Sequence, residues 1–342
     1  DLRGAGDDLR AALRAGVSGP TRARLLARHA RLAAGAEDLS RAGELVRLAL
    51  AETEGDPQAR AAALYAGSIV DMNTDRSGRS RERSDEALRL FSQVGDAHGI
   101  ADVLDARAMA TFLDGRNQEA VSAFDRVARM FEDAGDLLRV VTPRSTRGHG
   151  LVFLGQPGRA LRETEQALEL ARSLDYPEGV SYALWHRSES LSGLGRVDEA
   201  VNVAREAIEV AQRLGHRSWT VSAHRALGVA LHARGDLDAA EDAFRAALEL
   251  ATHWPLFASW AAARIAMIRV ARGDPAGAEP YVTRALGQGP PLAHYEARLA
   301  RAELAAARHE PDASAIARDA LARAEEGGHL VAVARLTELA RR

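Results

Sequence analysis

Residues 234–241 read Arg-Gly-Asp-Leu-Asp-Ala-Ala-Glu (RGDLDAAE), and the phrase recurs along the chain. It returns as DGRNQEAV at 114–121, LGQPGRAL at 154–161, LGRVDEAV at 194–201 and RGDPAGAE at 272–279. The glycines Gly115, Gly155, Gly195, Gly235 and Gly273 are therefore spaced 40, 40, 40 and 38 residues apart. A fixed period of this size marks one helical hairpin copied and stacked along an axis. Each copy buries its apolar face only against its neighbours.

One copy shows how the hairpin forms. Ser218–Arg234 carries Val221, Leu227, Val229 and Leu231 with small Ala223, Ala226 and Ala230 between them. That spacing is helical. Gly235 suits the positive φ of a helix end, and Asp236 is placed to cap the next helix. The second helix is expected over Leu237–Thr252, apolar at Leu237, Ala240, Phe244, Ala247 and Leu248. Small residues stand where the two helices must cross: Gly228, Ala240 and Ala247 here, then Gly148, Ala160, Ala167 and Ser188, Ala200, Ala207 in other copies. Glycine inside a helix costs about 1 kcal/mol against alanine, so close packing should offset it.

These residues predict an all-α chain, a right-handed α-solenoid of stacked antiparallel helix pairs with a period of about 40 residues. Seven to eight pairs and a capping helix at Leu330–Arg341 are expected over 20–342, read as one domain. Residues 1–19 read as an N-terminal segment or a linker. Asp1 in place of an initiating Met reads as the start of a processed or excised chain. An insertion is expected at 73–80, where Asn73-Thr74-Asp75-Arg76-Ser77-Gly78 is rich in helix breakers. Its partner helix is placed at Ser84–Val94. Pro143 predicts a kink or a delayed helix start.

Composition narrows function by exclusion. The 342 residues hold no cysteine and no lysine, so disulfides, thiolate chemistry, a P-loop lysine and a Schiff-base lysine are absent. A formal net charge of −3 gives no footprint for nucleic acid or an acidic membrane. No apolar run approaches the ~20 residues of a membrane span. GxxxxGK[ST], HExxH and GxSxG are all missing, so no catalytic residue, cofactor or metal is assigned. His186 and Glu189, three apart, could reach one metal, but a solvated or hydrogen-bonded pair is the expected reading.

The informative surface is the inner face of each first helix. Counting back from Ala120, Ala160, Ala200, Ala240 and Ala278 places Asp105, Met109, Phe112, His149, Val152, Tyr182, Trp185 and Glu189 on that face, followed by Arg225, His232, Trp260, Arg264 and Met267. Only 5% of the chain is aromatic, yet Phe112, Tyr182, Trp185 and Trp260 fall here. Aromatics and arginine anchor partners because they bring large contact area with few rotors to freeze. Two plainer fates stay open. The aromatics can fill seams between copies, and Arg225 and Arg264 can pair with acidic residues of adjacent copies. Trp219 and Trp254 are read as packing at turns.

The glycine turn and the Ala/Phe/Ala second helix together resemble tetratricopeptide-repeat proteins over about 57–326. The period of 40 exceeds that family's common 34 residues. Six more residues correspond to about 9 Å of helix shared by two arms, so helices of roughly 17 residues are expected. Phrases such as ALELARSLDYPEGVSYAL resemble the C-terminal arrays of maltose-regulator-like, LuxR-type ATP-binding regulators and of actinomycete antibiotic regulatory proteins. The resemblance implies a cytoplasmic, non-catalytic sensor or protein-interaction arm in transcription regulation or signalling. Its groove is expected to take a peptide, a protein segment or a small effector, with no direct nucleic-acid or membrane contact. The alternative is self-association or scaffolding as a homo-oligomer; an enzyme is the remotest reading.

Overall fold

The computed structural model describes residues 11–12, 16–36, 38–74 and 76–341, which leaves most of the expected 1–19 segment outside the described residues. Those residues contain α-helices and one 3-10 turn, and no strand among them. By internal contacts the chain divides into two compact units, 1–110 and 111–342.

The first unit holds α1 (Gly19–Gly35), α2 (Leu39–Ala51), α3 (Pro57–Met72), α4 (Ser77–Val94) and the start of α5 (Ala97–Leu113). Helix α1 packs on α2 and α3 packs on α4. Leu26, Leu45, Val46 and Val70 fill one core, and Leu64, Tyr65, Phe91 and Val103 a second. The buried Asp102 receives Arg31 at 2.8 Å, tying α1 to α5.

The second unit begins with the end of α5 and continues through α6 (Asn117–Asp133), α7 (Leu137–Phe153) and α8 (Pro157–Ser173). It then runs through α9 (Pro177–Gly193), α10 (Val197–Leu214), α11 (Arg217–Arg234) and α12 (Leu237–Leu250). Helices α13 (Pro255–Ala271), α14 (Pro275–Leu286), α15 (Pro291–Ala307), α16 (Ala313–Glu326) and α17 (Val333–Arg341) complete it, with a 3-10 turn at Leu330–Ala332 before α17. Each helix packs on its hairpin partner from α7–α8 to α15–α16, and α7, α9, α11 and α13 each also pack on the next first helix. This is the stacked-pair fold that the period predicts, with 17 residues in each helix from α6 to α9.

The turns explain the period. Gly115, Gly155, Gly195, Gly235 and Gly273 all lie in the left-handed region, with φ from +67° to +88°. Asp236 accepts the Ala239 amide at 3.3 Å and caps α12. A second series, not noticed in the sequence, sits between hairpins: Gly55, Gly95, Gly135 and Gly215 have positive φ, and Asp175 fills the missing place at φ +49°. The two series set both ends of every 17-residue arm.

Crossing points are equally specific. A Cβ at Gly228 would stand 2.8 Å from three ring atoms of Phe244. At the equivalent place Ser188 donates from Oγ to the Ala200 carbonyl at 2.8 Å, so its hydroxyl is satisfied within the contact.

Two expectations are corrected. The described residues of 73–80 form no inserted loop: α4 starts at Ser77, in step with helix starts at Asn117, Pro157, Val197 and Leu237. The breaker-rich composition is overridden by packing, since Ser80 Oγ bonds the Ser68 carbonyl at 2.8 Å and the buried Asp71 draws in Arg83 at 2.7 Å. Residue 75 lies outside the described residues. Nor does Pro143 delay its helix, because α7 starts at Leu137. Proline removes only the bond to the Arg139 carbonyl, and fully buried Val140 and Val141 hold the first turn.

Substitution separates these roles. Gly228→Ala is expected to lower unfolding free energy by about 1–3 kcal/mol through overpacking against Phe244, and Gly235→Ala by about 1 kcal/mol through left-handed strain. Gly43→Ala, mid-helix with nothing within 4 Å of its Cβ, should be neutral or stabilising. Urea titration followed by circular dichroism measures all three.

Candidate functional site

The first helices of the second unit converge on one buried polar cluster. Residues four apart share a helix face, so Ser145, His149 and Phe153 line α7 while Trp185 and Glu189 line α9. Arg225 comes from α11, Trp260 and Arg264 from α13, and Tyr295 and Glu296 from α15. Ser145, Trp185 and Arg225 are 40 residues apart in turn, so one repeat position is used three times with three chemistries.

Glu189 is the first anchor. Its Oε1 accepts from Trp185 Nε1 at 2.8 Å and from Arg225 Nη1, and its Oε2 meets His149 Nε2 at 3.0 Å. An ionised carboxylate only accepts, so His149 Nε2 carries the proton. Glu296 is the second anchor. It takes Arg225 Nη2 at 2.9 Å and the fork of Arg264, Nε at 2.9 Å and Nη2 at 2.7 Å. The Arg225 guanidinium, 1% exposed, lies 4.1 Å over the Trp260 ring. The result is an alternating chain Glu189–Arg225–Glu296–Arg264 with no net charge.

Electrostatics follow from that order. Burial pushes the Glu296 carboxyl up, but Arg264 and Arg225 outweigh it and hold it at about 2. Glu189 is likewise driven well below the usual range, with burial opposing and Arg225 and His149 prevailing. Burial depresses His186 well below its ordinary value, and takes His232 and His329 to about 4 with help from Arg264.

The last pair closes over this cluster. Tyr295 donates its hydroxyl to the Gly115 carbonyl at 3.1 Å, and the Gly327 carbonyl accepts from Asn117 N at 3.1 Å and Nδ2 at 3.0 Å. The His329 ring stacks on Phe153 at 4.6 Å and on Tyr295 at 5.1 Å. Within the second unit, residues some two hundred positions apart are thereby joined.

The structure brings together His149, Trp185, Glu189, Arg225, Trp260 and Arg264. Phe112 stacks with Phe153 at 6.0 Å on the edge of the same cluster. Tyr182 stays half-buried, its hydroxyl on Thr146 at 2.9 Å and its ring on Trp185. His232 is half-buried near Arg264, while Val152 and Met267 are buried with the hydrophobic side chains. Asp105 and Met109 belong to the first unit; both are part-exposed, and burial raises the Asp105 carboxyl to about 7.

The open trough expected from the repeat pattern is not what these residues form. Phe112, His149, Trp185, Glu189, Arg225, Trp260 and Met267 are all buried. Both arginines meet acidic residues of other pairs, the plainer of the fates left open above. Glu296, Tyr295 and His329 were missed because the last pair breaks the 40-residue step. His186 bonds Ser145 Oγ through Nδ1 at 2.7 Å, and Glu189 bonds His149, Trp185 and Arg225, so the two do not pair with each other. Ser145 and His186 are both fully buried. Trp219 and Trp254 are half-buried at their turns, Trp219 stacked on His216 at 3.6 Å.

Residues 179–253 match the model of the tetratricopeptide repeat. No curated protein matches the chain. Among solved structures it is similar to a Rap protein complexed with Competence and Sporulation Factor, at 14% identity and TM-score 0.66, covering 93% of this chain and 96% of that one. It is similar to NprR in complex with its cognate peptide NprX, at 12% identity and TM-score 0.67, covering 100% and 96%. A third similar structure is a signal transduction ATPase with numerous domains, carrying a tetratricopeptide repeat sensor, from Pyrococcus horikoshii. There the identity is 13% and the TM-score 0.52, and the match covers 77% of this chain and 41% of that one. The fold is that of stacked tetratricopeptide-type pairs.

The buried histidines predict a pH dependence. The unfolded chain takes up protons near 6.5, whereas folded His232 and His329 resist until about 4. Stability is therefore lost as pH falls across that window. The Asp105 carboxyl has the opposite sign, because its raised value favours the folded state as pH falls. In an Asp105→Asn background the melting temperature should drop steadily from about pH 7 to about pH 4.5, and His329→Gln should flatten part of that slope. Differential scanning calorimetry across the range measures both.

Proposed function

We propose that this tetratricopeptide-repeat chain is a non-catalytic binding module that takes a peptide or protein segment on the inner face of its second unit. The observation that carries the reading is the convergence of aromatic and ionic side chains from five first helices on one place. Aliphatic residues would serve stability there as well, since a buried ion pair is often no better than a hydrophobic replacement. The peptide complex of a similarly folded protein, NprR, supports a peptide over a small effector. No helix among the described residues is long and apolar enough to cross a membrane.

In a larger regulator such a module acts as a sensor arm, its ligand biasing an equilibrium between two states by binding one of them better. The sensor of the archaeal ATPase, similar in fold, supports that setting.

Thermal-shift screening against a peptide library tests the reading. Binding that selects the folded state raises the melting temperature by mass action. At least one peptide should do so, and Arg264→Gln on the inner face should weaken it by about tenfold or more, a typical loss for one charged contact. Arg205→Gln, at an exposed position of α10, should leave it unchanged. No shift with any peptide, together with concentration-dependent light scattering, would instead establish self-association.

A further inference from the structure

We infer that the Arg225–Arg264 pair is a receptor for an acidic side chain of the incoming segment, and that the chain's own Glu296 occupies it in the closed form. The inference rests on the binding-module reading above and names the partner chemistry of that site.

Three observations converge. Glu296 is held as a ligand carboxylate is held, by the two-pronged fork of Arg264 and by Nη2 of Arg225, from guanidiniums on successive hairpins. The closed form also leaves donors unspent. Arg225 Nε and Trp260 Nε1, both buried, have no hydrogen-bond partner, although every buried donor normally finds one. An acceptor-rich segment supplies what Glu296 alone does not. Finally, Glu296 sits next to Tyr295, whose hydroxyl bonds the Gly115 carbonyl, so the residue that fills the receptor is adjacent to one that latches the last pair to the first.

The charge balance fixes the partner. Glu189 stays on Arg225, held by Trp185 and His149, so withdrawal of Glu296 leaves one net positive charge and an empty fork at Arg264. A carboxylate-bearing segment restores both. The latch consists of three hydrogen bonds, Tyr295 to Gly115 and the two from Asn117 to Gly327, plus the His329 stack. Loosening it raises the fraction of molecules able to bind, and the apparent affinity rises in the same proportion.

The probe is fluorescein-labelled hexaglutamate, with hexaglutamine as the neutral control, read by anisotropy at low salt. Asn117→Ala combined with Tyr295→Phe should bind hexaglutamate about tenfold or more tightly than the parent chain, and hexaglutamine not at all. Adding Arg264→Gln should return binding to the parent level. Amide exchange over 291–332 reports whether the latch has loosened, and Tyr295→Phe alone serves if the double variant loses helix content. Faster exchange without a gain in hexaglutamate binding overturns the proposal, as does a gain that survives Arg264→Gln. Unchanged exchange in both variants also overturns it, since the latch would then not gate the site. If library peptides bind while hexaglutamate does not, the acidic receptor falls and the binding module stands.

Discussion

A guanidinium can remain almost out of water only when carboxylates face it from more than one side. Arg225 meets that condition through Glu189 and Glu296, which lie on helices separated from its own by a repeat or more. Ion pairing at this depth does little for net stability, because desolvation consumes most of the Coulombic gain. Its effect is on register: α9, α11, α13 and α15 are held to the relative placement that satisfies all four charges. Removing any one member leaves an uncompensated charge, which is far more costly than the intact network is favourable.

That network is carried by a scaffold whose geometry is almost entirely repetitive. Two interleaved series of left-handed turns hold each arm to one length, and small residues at the crossings let the arms approach. The first series was legible because glycine marks it at Gly115, Gly155, Gly195 and Gly235. The second was not read, partly because Asp175 replaces glycine at its fourth place. The reading of an insertion at 73–80 erred for the complementary reason. Arginine and serine around Asp71 look like loop residues in isolation, and only the tertiary contacts of Ser68, Asp71 and Arg83 make them helical.

The site was half legible. A repeat count finds residues that share a position, which is how His149, Trp185, Glu189 and Arg225 were placed on one face. It cannot find what the end of a row does, because the final pair departs from the period and meets residues far away in sequence. Glu296 and His329 lie in that departure. Whether an inner face is open or closed is likewise a property of the last pair, and no single repeat encodes it.

The closed arrangement has an internal contrast. The charge network is highly specific, yet the contacts that keep the last pair against the first are few and mostly involve backbone carbonyls at turns. Three neutral hydrogen bonds contribute about 1 kcal/mol each at most conditions, and one stacked imidazole adds a comparable amount. A row of hairpins is held by nearest-neighbour terms, so the pairs themselves do not need this closure to stay folded. That boundary lies directly beside the polar interior of the second unit. A segment that offers a carboxylate to Arg264 need only offset the latch, whereas one without a charge must also leave a buried guanidinium unmatched. Discrimination between them arises from the cost of the unmatched state, which is how a site built from ordinary ion pairs becomes selective.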